Sequence, residues 1–163
     1  MAFKRRTFLA AVAPLALGGC GFQLRQAPAF SFQTIAIGSA ETSSLGNELK
    51  RSIVSGGAVQ VLPGPQAQVL LQVLTDQREK VVVGLNASGQ VREFQLRIRF
   101  RFRLRTPDGK ELIPDTELLQ QRDISFNESA VLSKEAEENL LYRDMQTDIV
   151  QQLMRRLAAI KTL

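Results

Sequence analysis

The sequence predicts an α+β fold, a two-layer sandwich in which two helices pack on one face of a four-stranded, mostly antiparallel sheet in the order β-α-β-β-β-α. Three observations carry that prediction. Residues 94–105 alternate between apolar and polar almost without a break. Residues 133–160 repeat apolar side chains at three- and four-residue spacing. A short apolar run at 34–38 leads into a capped amphipathic segment. The first pattern is a half-buried strand, the second a helix with one buried stripe, and the third a strand feeding a helix.

Taken in order, residues 34–38 form the first strand. Ser43 or Ser44 then caps a helix with Leu45, Leu49, Ile53 and Val54 on one face, and Gly56-Gly57 ends it. Pro63-Gly64-Pro65 is a turn, and the β-rich residues 69–83 form the second strand. Asn86-Ala87-Ser88-Gly89 turns the chain into the long strand 94–105, which sends Phe94, Leu96, Ile98, Phe100, Phe102 and Leu104 to the core. Thr106-Pro107-Asp108-Gly109 reads as a type I turn followed by a left-handed glycine, returning the chain into a fourth strand over 110–126. Pro114 has no N–H to give a ladder, so that strand is bulged there or lies at an edge. The last helix runs from Ser133, its expected cap, to about residue 160. Glu135, Glu137 and Glu138 lie near its positive end, and Arg155, Arg156 and Lys161 near its negative end. Leu141, Met145, Ile149, Leu153, Leu157 and Ile160 make its core stripe.

The long strand carries five arginines on its other face, spaced by about 6.7 Å, twice the strand rise. Such a row suits phosphates or an acidic partner. A three-residue hairpin with a bulge would instead set Arg105 against Glu111, Arg101 against Asp115 and Arg99 against Glu117, neutralising three of them at home. Arg97 and Arg103 remain, joined toward the other end by Arg78, Lys80 and Arg92. Both readings, an anion-binding face and a merely solvated one, stay open. Nucleic acid is a poor partner, because no stacking aromatics lie among the arginines.

Residues 1–19 read as a lipoprotein signal peptide. Lys4, Arg5 and Arg6 form a cationic start, 8–17 an apolar run, and Leu17-Gly18-Gly19-Cys20 a lipoprotein cleavage box. The run is too short to span a bilayer, which takes about 20 apolar residues. Cys20 is therefore expected to become the acylated first residue, with 20–32 as an extended tether made sticky by Phe22, Phe30 and Phe32, and 33–163 as a single domain. Two or three acyl chains, at about 0.8 kcal/mol per buried CH2, anchor a protein stably where one does not. Arg5-Arg6-Thr7-Phe8-Leu9 also resembles a twin-arginine export motif, so both export routes stay open. The formal net charge is +5, and three of those positive charges sit in the segment to be removed.

Composition excludes much chemistry. The chain has no histidine, and its one cysteine is committed to lipid. That leaves no histidine general base, thiolate nucleophile or Cys/His zinc site. Ser-x-x-Lys, Gly-x-Ser-x-Gly and a glycine-rich phosphate loop are all missing from the sequence. Neither an enzyme nor a cofactor is expected.

Cys20-Gly21-Phe22-Gln23-Leu24-Arg25 after the cleavage box, the helix near Leu45, Gly89-Gln90-Val91-Arg92-Glu93-Phe94-Gln95 opening the long strand, and the segment 126–157 with Val131-Leu132-Ser133-Lys134-Glu135 occur in one order. Together they resemble the LptE family of outer-membrane lipopolysaccharide-assembly lipoproteins. The resemblance implies a two-helix, four-strand sandwich that plugs the lumen of the LptD β-barrel, assists its assembly and helps insert lipopolysaccharide into the outer leaflet. It implies acylation at Cys20 and a lipopolysaccharide contact at Lys134; the uncommitted cations on or near the outer strand face, Arg92, Arg97, Arg103, Arg78 and Lys80, are the further candidates for that ligand. Where the family has a basic residue in the turn between strands two and three, this chain has Ala87, so that contact is missing or displaced to Arg92. Gly21 is not the aspartate that retains a lipoprotein at the inner membrane. An auxiliary lipoprotein of a phospholipid or other ABC-type transport system is the rival reading.

Overall fold

The computed structural model describes residues 29–163. In chain order these form β1 (Thr34–Gly38), α1 (Ser44–Ser55), β2 (Gln60–Val61), β3 (Val69–Leu85), β4 (Val91–Arg105), β5 (Glu111–Ser125) and α2 (Val131–Ala158). The sheet order is β2-β1-β3-β4-β5, with β1 parallel to β2 and β3, and β3-β4-β5 antiparallel. Both helices cover one face. The sheet thus has five strands where the sequence predicts four. The addition, β2, is two residues long and so carries no periodic signal. It pairs with the start of β1, Gln60 N donating to Gln33 O and Leu62 N to Ile35 O, each at 2.9 Å, and so covers the first part of that strand's edge.

Ser43 is the cap of α1, its Oγ accepting from Gly46 N at 2.8 Å. Leu45, Leu49 and Ile53 are buried, whereas Val54 is 57% exposed. Nine residues beyond Leu45, about 2.5 turns, Val54 points to the opposite side of the helix. Gly57, at φ +72°, supplies the left-handed residue that ends it.

The alternation of β4 holds throughout: Leu96, Ile98, Phe100, Phe102 and Leu104 are each at most 1% exposed. Each such side chain contributes about 1.5–3 kcal/mol by leaving water. The turns on either side close as expected, with Gly89 at φ +79° and Gly109 at φ +95°. β5 is both an edge strand and irregular near Pro114, the β4–β5 register slipping between Phe102 and Arg105. The last helix begins at Val131, so Ser133 is not its cap. Asn127 instead caps a preceding 3-10 turn by accepting from Ser129 N, and the Ser133 hydroxyl donates back to Ala130 O at 2.8 Å. Met145, Ile149, Leu153 and Leu157 are buried as read, joined by Tyr142, Gln146 and Val150. Leu141 and Ile160 are only partly covered. Phe32 is 2% exposed and Phe30 packs on it, ring centroids 5.3 Å apart, so both lie against the domain.

A two-lysine cleft at the end of the sandwich

The candidate cations do not share one face. In an antiparallel pair, directly opposed residues point to the same side. Arg78 opposes Ile98 and Lys80 opposes Leu96, and both of those β4 residues are core, so Arg78 and Lys80 lie under the helices and not on the outer arginine face. The cause is a bulge between Val73 and Thr75, whose extra residue exchanges the two faces of β3 from there to a second irregularity at Val82/Gly84.

Lys80 and Lys134 come together in a small cleft of about 70 Å³ between the start of α2 and the far end of the sheet, walled by Phe94, Ile124, Phe126 and Val131, with the carboxylates of Glu135 and Glu138 also lining it. Lys80 Nζ stands 4.4 Å above the Phe94 ring centroid and 2.6 Å from Glu138 Oε2. Lys134 Nζ donates to Ser125 Oγ at 3.0 Å and to Glu137 Oε2 at 2.8 Å. Phe94 and Phe126 meet edge-on, centroids 5.3 Å apart. Two ammonium groups against aromatic walls suit an anionic head on an apolar body. Arg92, exposed, lies two residues from Phe94, and its carbonyl accepts from Phe126 N at 2.7 Å. Ala87 is exposed in the hairpin turn beyond it.

Arg78 has a different occupation. Its Nη2 donates to Ser44 Oγ at 2.7 Å and to Gln146 Oε1 at 2.6 Å, and its guanidinium lies 5.3 Å from the Tyr142 centroid. Gln146 in turn donates to Glu48 of α1. This network ties both helices to β3. Tyr142 donates to Glu79 O at 2.8 Å. Burial, reinforced by the charge of Glu138, pushes its phenol above the usual range.

On the outer face, Arg101 pairs with Asp115, and Arg99 lies 3.3 Å from Glu117 and 3.8 Å from Glu79. The hydrogen bond and charge of Asp115 raise the Arg101 pKa further. Both expected partners are found, but along diagonals: the slip near Pro114 sets Arg101 directly opposite Glu117 and Arg99 opposite Leu119. Arg105 does oppose Glu111, yet no ion pair joins them, and its Nε is buried with no hydrogen-bond partner among the described residues. Among the described residues Arg97 and Arg103 bond only to glutamines, Gln95 at 2.7 Å and Gln72 at 2.6 Å. Cys20 lies outside the described residues. Sequence reasoning assigned Phe94 to the core and Glu137 and Glu138 to the helix dipole. Only the packing of α2 over the hairpin gathers Phe94 and Glu138 at one cleft, with Glu137 beside it on Lys134. Among the described residues no cluster of His, Cys, Asp or Glu is arranged to hold a metal ion, and no helix is long and apolar enough to cross a membrane.

The profile of the LptE family, described as lipopolysaccharide-assembly, matches residues 32–157. The chain belongs to the LptE family. It is 28% identical over 165 residues to the LPS-assembly lipoprotein LptE of Pectobacterium atrosepticum, covering 94% of this chain and 85% of that protein. The fold agrees with the solution structure of an uncharacterized lipoprotein B from Nitrosomonas europaea, at 34% identity and TM-score 0.74, over 85% of this chain and 91% of that one. It also agrees with the crystal structure of rare lipoprotein B from Shewanella oneidensis, at 21% identity and TM-score 0.65, over 78% and 95% of the two chains. This LptE-family chain therefore has an α+β sandwich shared with lipoproteins.

Proposed function

We propose that this protein is a non-enzymatic outer-membrane lipoprotein that sits inside the LptD β-barrel as a plug, helps that barrel assemble, and assists the passage of lipopolysaccharide into the outer leaflet. In this reading residues 1–19 are cleaved, Cys20 is acylated, the residues after it are the tether, and the working domain on the periplasmic side starts at Phe30 and Phe32, which pack on its core. The observation that supports it, beside family membership, is the pairing of Lys80 and Lys134 against Phe94 and Phe126, which suits a phosphate on an acylated sugar. Arg92 extends that cationic rim. Arg97 and Arg103, held by glutamines, and Arg105, without an ion pair among the described residues, are the outer-face cations left for contact with the barrel or ligand. Arg78 serves the ligand indirectly, by holding the two helices on the sheet.

Extraction of the membranes in mild detergent and affinity capture of this chain is expected to bring down the LptD barrel. Replacing Lys134 and Arg92 together by glutamate is expected to weaken lipopolysaccharide binding and its salt sensitivity while the barrel is still captured, because docking uses a far larger surface. Capture without the barrel would overturn the plug assignment. Unchanged lipopolysaccharide affinity at low salt would remove the ligand role of the cleft.

A further inference from the structure

We propose that Glu137 and Glu138 are built-in counter-anions of the cleft, holding Lys134 and Lys80 until a phosphate-bearing amphiphile displaces them, so that the site restrains itself in the free protein. This rests on the reading of the cleft as the ligand site.

Consecutive residues on a helix diverge by about 100° and do not face each other. Two adjacent carboxylates can both be paired only if cations lie on either side of their turn. The fold supplies that arrangement, with Lys80 from β3 on Glu138 and Lys134 from α2 itself on Glu137. Each ammonium also has a second contact independent of its carboxylate: Lys80 with the Phe94 ring and Lys134 with Ser125 Oγ. When the carboxylates swing out, the cations keep their places. Glu137, with 47% of its side chain exposed, has solvent to move into. A phosphate has enough oxygens to bridge two ammonium groups, whereas each glutamate here satisfies one. Phosphate is thereby favoured over a simple carboxylate amphiphile, which merely exchanges one carboxylate for another.

Binding of the detergent-purified lipoprotein to immobilised lipopolysaccharide tests this by surface plasmon resonance. Exposed pairs of this kind hold an equilibrium by up to about fivefold. Glu138→Gln and Glu137→Gln are therefore each expected to bind about threefold more tightly at low salt, and the double variant about tenfold. The gain should shrink as salt rises. Asp144→Asn, at an exposed carboxylate on α2 that pairs with neither cleft lysine, is expected to change little. Thermal melting checks each fold, and Glu137→Gln alone suffices if Glu138→Gln is too unstable.

If the double variant binds no more tightly while Lys134→Gln weakens binding, the cleft remains the ligand site and the counter-anion role is wrong. An equal gain from Asp144→Asn would reduce the effect to net charge and overturn the proposal. Unchanged affinity in Lys134→Gln would show that the ligand sits elsewhere, and the inference would fall together with that reading.

Discussion

Phe100 and Arg103 stand three residues apart on β4 and live in opposite solvents. Phe100 is fully buried, so Phe100→Asp combines a large cavity with an unpaired buried charge, at a cost above the roughly 3–5 kcal/mol of Phe→Ala alone. The domain is expected to be unfolded by circular dichroism. Arg103→Gln loses one exposed hydrogen bond to Gln72 and is expected to change stability by no more than about 0.5 kcal/mol. Comparable melting losses in the two variants would mean that the faces of β4 are reversed. Tyr142 offers a second test, because it is the only tyrosine in the chain and its phenolate absorbance titrates a single group. Its folded pKa is raised, so the folded state keeps the proton after the unfolded chain has released it. That contribution to stability is complete below the unfolded phenol value near 10, and is lost as pH climbs through the higher folded value. Tyr142→Phe is expected to cost about 1 kcal/mol at neutral pH, from the lost bond to Glu79 O, and to flatten the alkaline decline relative to the parent.

At the scale of elements, α1 depends on its start. Ser43 Oγ accepts from Gly46 N and also donates to Asp76 Oδ2 at 2.6 Å, so one hydroxyl both caps the helix and pins it to β3. Ser43→Ala is expected to cost about 1 kcal/mol, or about 3–5 °C in Tm for a domain of this size. Ser55→Ala, which removes only a bond to Ser52 O at the other end, is expected to melt with the parent. Equal shifts would deny Ser43 its double role. The strands show how local signals reach their limit. The alternation of β4 and the glycine turns at 89 and 109 were legible, because each depends on residues within one or two positions. β2 was not legible, since two residues hold no period. Nor was the bulge at Val73/Thr75, which is set by pairing with Phe102 and Arg101 across the hairpin.

For the whole molecule, the lipid anchor and the domain are separable in the proposed arrangement. Cys20 precedes the described residues, and the core begins at Phe32. Cys20→Ala is expected to accumulate as unprocessed precursor that takes up no labelled fatty acid, while its domain keeps the parent's melting temperature. Normal processing of the variant would remove the lipoprotein assignment.

Read alone, the chain's own residues determined the two-layer sandwich, the inward face of β4, the core stripe of α2 and the family resemblance. Each is written in local periodicity or in contiguous motif. Tertiary structure decided the rest. A single bulged residue sends Arg78 and Lys80 beneath the helices, and the slip near Pro114 turns the arginine pairs diagonal. The overlap of α2 with the β3–β4 hairpin joins residues 80, 94, 126, 134 and 138 in one cleft. Face and register depend on how many residues each strand places between its pairing points. That number is settled only when the partner strands and the helices above them are in place.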